Sequence, residues 1–535
     1  MKPFLPSMFI AAALACSCSE PGIKTEPVNP PTMGWSSWNC FLVNISEDII
    51  NRHADLLVST GLSEHGYDHI NIDDGFFGHR DSLGYMTAHE ERFPNGLRGV
   101  SDHIHSLGLK AGIYSDAGNN TCGSRWNGDV NGVGAGLWQH EVRDAERYFN
   151  DWNFDFIKID YCGGTGLGLN EHDQYLRIRH AIDSVANHPV EVNICRWAFP
   201  GTWVGEAGDS WRISGDVRPF WGSIKSTIER NMYLSAYAGG GRYNDMDMLI
   251  VGYANKPSPL LEDCYGVPFN EEETHFGMWC IMSSPLLLGC DLGYIPEETM
   301  KIITNDELIA LDQDPLGLQA YVVQHEGEGY VFAKDIEVLR GKTRAVALYN
   351  PSEEEITFNV PLETLEFAGS VNVRDLNRHE ELGSMDCIRL SVPAHGARIL
   401  KITGKKRIEP QVYEAEWAFI PCYTAIAKST RPMPVDGASC QVAVPYLGGS
   451  SDNCLVWKDV YSSRGGKHSL SIRCQSDEVR ILEVEVNGVK QTAAIPASEG
   501  FKEYSLPVTL KKGFNVIRMG NDSEEAPVVD CFKVL

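Results

Sequence analysis

The sequence predicts an α/β protein: a (β/α)8 TIM barrel that is followed by an antiparallel β-domain and a C-terminal β-sandwich. Over roughly the first 300 residues, short apolar runs typical of β-strands alternate with helix-compatible stretches. Strands that alternate with helices form a parallel sheet with both faces covered. Five of these runs also end in aspartate. A closed barrel gathers all strand ends on the rim where its active sites lie, so we expect the carboxylates to converge.

Eight strand candidates precede residue 300, which matches the usual size of this barrel. They are residues 33–38, 69–73, 109–116, 154–161, 190–197, 211–216, 242–249 and 285–292. The helical stretches between them are 49–60, 100–107, 142–152, 174–186, 224–237 and 271–282. A doubly wound open sheet is the alternative, but no glycine-rich phosphate loop follows the first strand.

Beyond Pro315 the pattern changes to short alternating strands without helices between them. Residues 320–333, 343–350, 355–360, 371–375 and 397–403 predict an antiparallel β-domain over 318–404, after a catalytic barrel over 31–317. A basic, turn-prone stretch at 404–407 marks the next boundary. Strands at 455–460, 468–474, 480–486, 501–510 and 515–519 predict a β-sandwich over 410–535.

The composition limits the class of partner. The chain has 535 residues and a formal net charge of −26, so several domains are expected. Binding to nucleic acid requires clustered Lys and Arg, which argues against a nucleic-acid partner. A neutral substrate such as an oligo- or polysaccharide suits this acidic surface better.

The N-terminus predicts export. Lys2 precedes an apolar run over residues 4–15 that ends in small residues, the pattern of a signal peptide over residues 1–18. Cys16, or alternatively Cys18, stands where a bacterial lipoprotein is lipidated, which predicts an anchor at the cell envelope, in the periplasm or at the surface. An ordinary secretory signal is the alternative. Residues 19–30, rich in proline and polar groups, read as a linker.

Two strand ends carry the residues that suit glycoside chemistry. Lys158 and Asp160 lie on the same side of their strand, and a cation beside a carboxylate keeps it ionised, as a nucleophile requires. Asp216 ends a strand further along the barrel. A glycosidase needs at least two carboxylates that face each other across the substrate pocket. A buried Lys–Asp pair and a simple helix cap are the structural alternatives.

Further strand-end residues suit a sugar pocket. The tandem Asp73–Asp74 can hold vicinal hydroxyls, although a cap for the following segment is the alternative. Aromatic residues on or beside strand ends can stack on the apolar face of a sugar ring; these are Trp35, Trp38, Tyr114, Trp197 and Trp211. Few histidines occur at the strand ends, which disfavours a catalytic metal.

Seven sequence motifs, which follow one another in a fixed order along the chain, together match the pattern of one known family. They are PTMGWSSWN at 31–39, IDDG at 72–75, GIYSDAG at 112–118, KIDYC at 158–162, WRISGD at 211–216, NDMDML at 244–249 and DQDPLG at 312–317. Together they resemble glycoside hydrolase family 27, the α-galactosidase and α-N-acetylgalactosaminidase family. The resemblance implies a barrel followed by an antiparallel β-domain, and a retaining double displacement that needs no cofactor.

When the family's functional residues are matched to this sequence motif by motif, the resemblance implies that Asp160 is the nucleophile and Asp216 the general acid/base. It also implies a disulfide between Cys122 and Cys162 at the mouth. The implied substrate contacts come from several strand ends: they are Trp38, Asp73, Asp74, Tyr114, Lys158, Arg212 and Asp247.

Two positions depart from the family pattern. Gly75 and Phe76 follow Asp73–Asp74 where the family usually has Cys-Trp. Arg196 stands where α-galactosidases carry a Glu that reads the 2-hydroxyl and N-acetylgalactosaminidases a small residue. Its bulk argues against a 2-acetamido group, and we expect it to shape the choice of substrate.

The last domain resembles carbohydrate-binding modules of family 35 or 6. The resemblance implies a structural Ca²⁺ held by Glu414, Glu416 and Asp530, whose oxygens suit a hard cation.

The sequence therefore predicts a retaining exo-glycosidase that releases terminal α-D-galactose. Within the family, β-L-arabinopyranosidase and isomalto-dextranase activities are the alternatives. A glycan-binding lipoprotein with an inactive barrel is the alternative from another class, disfavoured because Asp160 and Asp216 are both present.

Overall fold

The computed structural model describes residues 22–253 and 266–535. The predicted signal peptide, with Cys16 and Cys18, lies outside the described residues. Within the described ranges, no helix is both long and apolar enough to cross a membrane. Residues 22–30, the described part of the predicted linker, pack against the folded chain: Ile23 forms a β-bridge with Leu339, and Asn29 accepts a hydrogen bond from Tyr243.

The predicted barrel is present, and all eight of its strand candidates are strands. Each pairs in parallel with its neighbours, in the order β8-β1-β2-β3-β4-β5-β6-β7. A parallel bridge between Leu249 and Leu288 connects the end of β7 to β8 and closes the sheet. The strands are β1 Met33–Ser36, β2 His69–Asn71, β3 Lys110–Asp116, β4 Phe156–Asp160, β5 Glu191–Ile194, β6 Ser210–Arg212, β7 Tyr243–Asp245 and β8 Leu286–Leu288.

Helices surround the barrel, and each of the predicted helical stretches contains a helix, although the one predicted over 224–237 ends at Asn231. The chain from 142 to 152 departs from expectation only in its second half, where Glu146–Asp151 is a π-helix. The helices are α1 Trp38–Phe41, α2 Glu47–Ser59, α3 Gly96–Ser106, α4 Cys122–Trp126, α5 Glu141–Ala145, α6 Cys162–Leu167, α7 Glu171–Val185, α8 Val204–Ala207, α9 Trp221–Asn231, α10 Phe269–Ile281, α11 Glu297–Ile303 and α12 Asp306–Asp312.

The antiparallel region after the barrel contains a six-stranded sheet, β9-β10-β11-β16-β13-β14, and the pair β12-β15. Its residues Phe332, Tyr349 and Ile399 belong to the same apolar core as the barrel, so the two parts are packed as one body. The strands are β9 Tyr321–Glu326, β10 Gly329–Asp335, β11 Thr343–Asn350, β12 Ile356–Pro361, β13 Phe367–Asp375, β14 Glu380–Met385, β15 Cys387–Val392 and β16 Gly396–Arg407.

The C-terminal region is a sandwich of two four-stranded antiparallel sheets, β17-β26-β21-β24 and β20-β25-β22-β23, with a short β18-β19 pair. It has a separate apolar core around Trp457 and Phe532. The strands are β17 Val412–Glu414, β18 Met433–Pro434, β19 Val442–Ala443, β20 Leu455–Ser462, β21 Gly466–Gln475, β22 Arg480–Val486, β23 Val489–Ile495, β24 Lys502–Leu510, β25 Gly513–Gly520 and β26 Val528–Val534.

Candidate active site

A pocket at the carboxyl ends of the barrel strands collects most of the predicted site residues. Eight predicted catalytic or substrate-contact residues line it: Trp38, Asp73, Tyr114, Lys158, Asp160, Arg212, Asp216 and Asp247. Its other lining residues are Asn39, Cys122, Trp126, Cys195, Trp197 and Met248. Carboxylates that are distant in sequence therefore converge on one rim, as expected for parallel strands that end together.

Asp160, the last residue of β4, is one of the buried carboxylates of this pocket. Its side chain is buried, and its Oδ1 has no hydrogen-bond partner among the described residues. Burial raises the pKa of Asp160, while the Lys158 ammonium opposes this shift. Lys158 also donates a hydrogen bond of 2.8 Å to Oδ2 of Asp73 and lies over the Tyr114 ring. An unpartnered carboxylate oxygen beside a cation is free to react.

Asp216 lies in the loop after β6, where one guanidinium serves two carboxylates. Arg212 is buried, and its Nη2 is 3.0 Å from Oδ1 of Asp216 while its Nη1 is 2.9 Å from Oδ1 of Asp247. Burial would raise the pKa of Asp216, but the charges of Arg212 and Lys158 outweigh it and lower the pKa. In Asp247 burial dominates and raises the pKa to about 6. The two neighbours are therefore shifted in opposite directions.

Asp247 also has an unusual backbone. Its φ is +79°, in the left-handed region that residues other than glycine rarely adopt. Its Oδ2 accepts a hydrogen bond from the Val217 backbone N–H, next to Asp216. Strained backbone of this kind clusters at functional sites, where the surrounding structure holds it in place.

Asp74 does not line the pocket. Its carboxylate is fully buried and accepts hydrogen bonds from the backbone N–H groups of Gly75 and Gly123, at 2.8 and 2.6 Å. Burial raises its pKa to about 7. Only Asp73 of the tandem pair enters the pocket, because neighbouring side chains at the end of β2 point in opposite directions. Asp74 instead anchors the first turn of α4 behind the pocket wall.

Arg196 is also not among the lining residues. Its Nε donates a hydrogen bond of 2.9 Å to Oε1 of Glu171, the first residue of α7. Its guanidinium lies over the rings of Tyr161 and Trp197, with 5.4 and 5.5 Å to the ring centroids. Arg196 therefore packs on Trp197, which does line the pocket.

The predicted disulfide is present and connects α4 to α6, because Cys122 and Cys162 are bonded. Asp116, which the sequence marked only as a strand end, connects the same two loops. Its Oδ1 accepts hydrogen bonds from the N–H groups of Gly118 and Gly163, and burial raises its pKa to about 8. Two cross-links thus hold the chain around the nucleophile candidate.

Cys195 is a lining residue that sequence reasoning did not select. It follows β5 and is buried, with its Sγ 3.5 Å from Nη1 of Arg212. Its neighbourhood in the sequence is an apolar strand, which gives no signal for a site residue. Only the convergence of the strands places it beside Asp160.

The C-terminal sandwich contains a buried acidic cluster at the residues predicted to hold Ca²⁺. Glu416 is buried, and neither carboxylate oxygen has a hydrogen-bond partner among the described residues. Burial, together with Glu414 and Asp530, raises its pKa far above the usual range. Ser439 donates to Glu414, whereas Asp530 is paired with Arg473 and Ser439. The two unpartnered carboxylate oxygens of Glu416, next to Glu414, fit a cation. Asp530 fits one less well because its carboxylate already has partners.

The comparisons with known proteins agree with this geometry. The family model for alpha galactosidase A matches residues 30–314, and the model for the alpha galactosidase C-terminal beta sandwich domain matches residues 327–402. The chain belongs to the α-galactosidase family, glycoside hydrolase family 27. This assignment covers the barrel and the antiparallel region; the C-terminal sandwich lies beyond both matches.

Named relatives and a solved structure support the same family. An alpha-galactosidase of Oryza sativa is 36% identical over 378 residues, which cover 70% of this chain and 84% of the relative. Alpha-galactosidase A of Cellvibrio japonicus is 33% identical and covers 75% and 99%. The crystal structure of alpha-galactosidase I from Mortierella vinacea superposes with a TM-score of 0.63 at 30% identity, covering 71% and 98%.

Proposed function

We propose that this protein is a retaining exo-α-galactosidase that hydrolyses terminal α-D-galactosyl residues of glycans. The observation that carries the proposal is the pairing of two carboxylates in one pocket: Asp160, buried beside Lys158, and Asp216, held by Arg212. Similarity to α-galactosidases over 70% of the chain supports the substrate. Asp73 and Lys158 supply polar partners for sugar hydroxyls, and Trp38 and Tyr114 supply apolar walls.

In the proposed mechanism, the Asp160 carboxylate attacks the anomeric carbon while Asp216 donates a proton to the leaving oxygen. Water, activated by Asp216 as the base, then releases the sugar from Asp160. Asp216 must carry a proton in the first step, although Arg212 favours its ionised form in the free protein. A sugar in the pocket removes water from the exposed Asp216 side chain, and this desolvation favours the neutral, proton-donating form.

A panel of nitrophenyl glycosides tests the substrate directly. The panel contains α-galactoside, β-L-arabinopyranoside, α-N-acetylgalactosaminide and α-glucoside. We expect the α-galactoside to have the highest kcat/KM. A higher kcat/KM for the β-L-arabinopyranoside would indicate that the enzyme is instead a β-L-arabinopyranosidase. That sugar is galactose without its hydroxymethyl group. Absence of turnover of the whole panel would indicate an inactive, glycan-binding barrel.

We also propose that the protein is exported and lipid-anchored through Cys16 or Cys18. The disulfide between Cys122 and Cys162 supports export, because disulfides persist in oxidising compartments. Replacing each cysteine separately with Ala and assaying the membrane fraction tests the anchor. Retention of both variants on the membrane would contradict it.

In the C-terminal sandwich we propose a structural Ca²⁺ site, with Glu416 and Glu414 as the carboxylate ligands. The support is the orphaned, buried Glu416 carboxylate, since an uncompensated buried charge is costly and a hard cation would offset it. Asp530 is a less suitable ligand because Arg473 pairs with it.

A further inference from the structure

The loop after β5, residues 195–203, joins the pocket to the C-terminal sandwich. Cys195 and Trp197 at its start line the pocket, while Phe199 and Pro200, two and three residues after Trp197, are buried. The residues that cover them belong to a segment of the sandwich, residues 419–425, which lies between a 3-10 turn at Ala415–Trp417 and β18. A domain that is remote in sequence thus borders a loop that forms the pocket wall.

Hydrogen bonds run in both directions between this loop and the sandwich segment. The Thr424 hydroxyl donates to the carbonyl of Pro200 at 2.8 Å, and the Ala425 N–H donates to the carbonyl of Phe199, also at 2.8 Å. In return, the Thr202 hydroxyl donates to the carbonyl of Pro421 at 2.8 Å. The first two bonds satisfy carbonyl groups that the loop, having no strand partner here, would otherwise leave unpaired, and the third satisfies a carbonyl of the sandwich segment.

Aromatic packing reinforces the same contact. Phe199 is 1% exposed and stacks on Tyr423, with ring centroids 5.3 Å apart and an interplanar angle of 16°. Tyr237, from the barrel, packs against both rings, at 4.9 and 5.4 Å. Its hydroxyl accepts a hydrogen bond from the Ile420 N–H. Phe199 is therefore held between the barrel and the sandwich.

We propose that Tyr423 and Thr424 are positioning residues of the sugar pocket, which fix the loop after β5 and through it Trp197. The sandwich is then a structural part of the substrate site and does more than add a separate binding module. The proposal rests on the proposed glycosidase function, since it assigns Trp197 to the wall of that site. Because a wall contacts the sugar equally before and during reaction, its displacement weakens binding and leaves the chemical step unchanged.

The test compares Tyr423→Ala with Tyr423→Phe in the full-length protein, using the glycoside that the wild type hydrolyses best. We expect Tyr423→Ala to raise KM by about 5- to 20-fold with kcat within about 2-fold, because small misplacements of a positioning group are costly. Tyr423→Phe keeps the stacking ring and should restore KM. Thr424→Val, which removes only the hydroxyl donor, should raise KM in the same direction by a smaller factor.

Tyr461→Ala is the matched control. Tyr461 is a tyrosine of the same sandwich that contacts Arg340 of the antiparallel region, with 4.3 Å from the guanidinium carbon to the ring centroid. Its loss should leave KM within about 2-fold. An unchanged KM in both Tyr423→Ala and Thr424→Val, or an equal rise in Tyr461→Ala, would overturn the proposal. Failure of the wild type to hydrolyse any glycoside would instead count against the proposed function.

Discussion

Asp160 and Asp216 have different surroundings, and this difference assigns their roles. Asp160 is enclosed and has an unpartnered oxygen, as suits attack on carbon. Asp216 is partly exposed at the rim, with a side chain 36% accessible, where it can reach a leaving oxygen and later a water molecule. Single substitutions at the two positions should therefore fail in different ways.

Asp160→Ala removes the nucleophile, so we expect kcat to fall by about 10⁴-fold or more on every substrate. Asp216→Ala removes the proton donor, which matters little for a nitrophenolate that leaves without protonation. This variant should therefore retain fast glycosylation of activated substrates and lose natural galactosides. Steady-state and burst kinetics on both substrate types measure the difference.

Azide provides the control for Asp216→Ala. The second step also needs a base, so glycosyl-enzyme should accumulate in this variant, and azide should restore turnover by attacking it directly. An equal loss on both substrate types without azide rescue would move the acid/base role elsewhere. Asp247 would then be the candidate, because it shares Arg212 with Asp216.

The ion pair of Arg196 changes what we expect of its substitution. Arg196→Gln removes the charge that pairs with Glu171; Arg196 does not line the pocket itself and reaches it only through the Trp197 ring. We therefore expect the ranking of the four glycosides to stay the same, with each kcat/KM within about 3-fold. Arg177→Gln, a change at an exposed arginine, is the control. A changed ranking would show that Arg196 does read the sugar.

For single residues, the sequence predicts which of them lie at strand ends better than it predicts where their side chains point. The motifs correctly placed Asp73, Lys158 and Asp160 in one pocket, since alternation along a strand fixes which side chains share a face. The sequence could not show that Arg196, in the loop after β5, pairs with Glu171, because Glu171 lies 25 residues earlier on helix α7. Asp74 points away from the pocket because its neighbour Asp73 faces it, and neighbouring side chains at a strand end point in opposite directions.

Strand β3 and helix α6 are connected through the buried carboxylate of Asp116, which ends β3 and accepts a hydrogen bond from Gly163 of α6. The pKa of Asp116 is raised by burial to about 8, against roughly 3.9 in the unfolded chain. The folded state thus binds this proton more tightly. Its contribution to stability is fully present below pH 4 or so and is lost as the pH rises towards about 8.

Asp116→Asn removes this titration while keeping one oxygen as acceptor for Gly118 and Gly163. We expect the variant to lose less stability than the wild type between pH 5 and pH 8, by about 2–4 °C in Tm. Thermal melts at both pH values measure the difference, with Asp386→Asn at an exposed site as the control. The same pH dependence in Asp116→Asn and wild type would mean that Asp116 is ionised throughout.

Most elements could be predicted from hydrophobic periodicity, and the exceptions have several causes. The residues 320–333 form a hairpin, β9 and β10, and not one strand, because Glu326 and Gly329 flank a tight turn. The strands β15 and β26 were not predicted, although β26 is mostly buried and lies inside its sheet. The strands β14 and β23 were not predicted because both lie at sheet edges and are largely exposed. A mostly polar edge strand has no buried face to leave a periodic signal.

The described residues form three apolar cores: one that the barrel shares with the antiparallel region, a second within the antiparallel region, and a third in the sandwich. Because the sandwich has its own core, a cation at Glu416 should stabilise that part. We expect Ca²⁺ to raise the Tm of the wild type by several degrees relative to chelator, since a ligand that binds only the folded state stabilises it. The increase should vanish in Glu416→Gln and persist in Glu503→Gln, at an exposed glutamate of the same sandwich. Equal Tm values with Ca²⁺ and with chelator in the wild type would mean that Glu416 is simply protonated.

The stereochemistry of hydrolysis tests the central claim most directly, because only a double displacement through Asp160 retains the anomeric configuration. A retaining pair requires carboxyl groups about 5–5.5 Å apart, whereas an inverting pair lies about 6.5–9.5 Å apart. Proton NMR of an α-galactoside mixed with enzyme resolves the two anomers of the released galactose before they interconvert. We expect the α-anomer to appear first and the β-anomer to follow by mutarotation. Initial release of the β-anomer would contradict the assignment of Asp160 as the nucleophile.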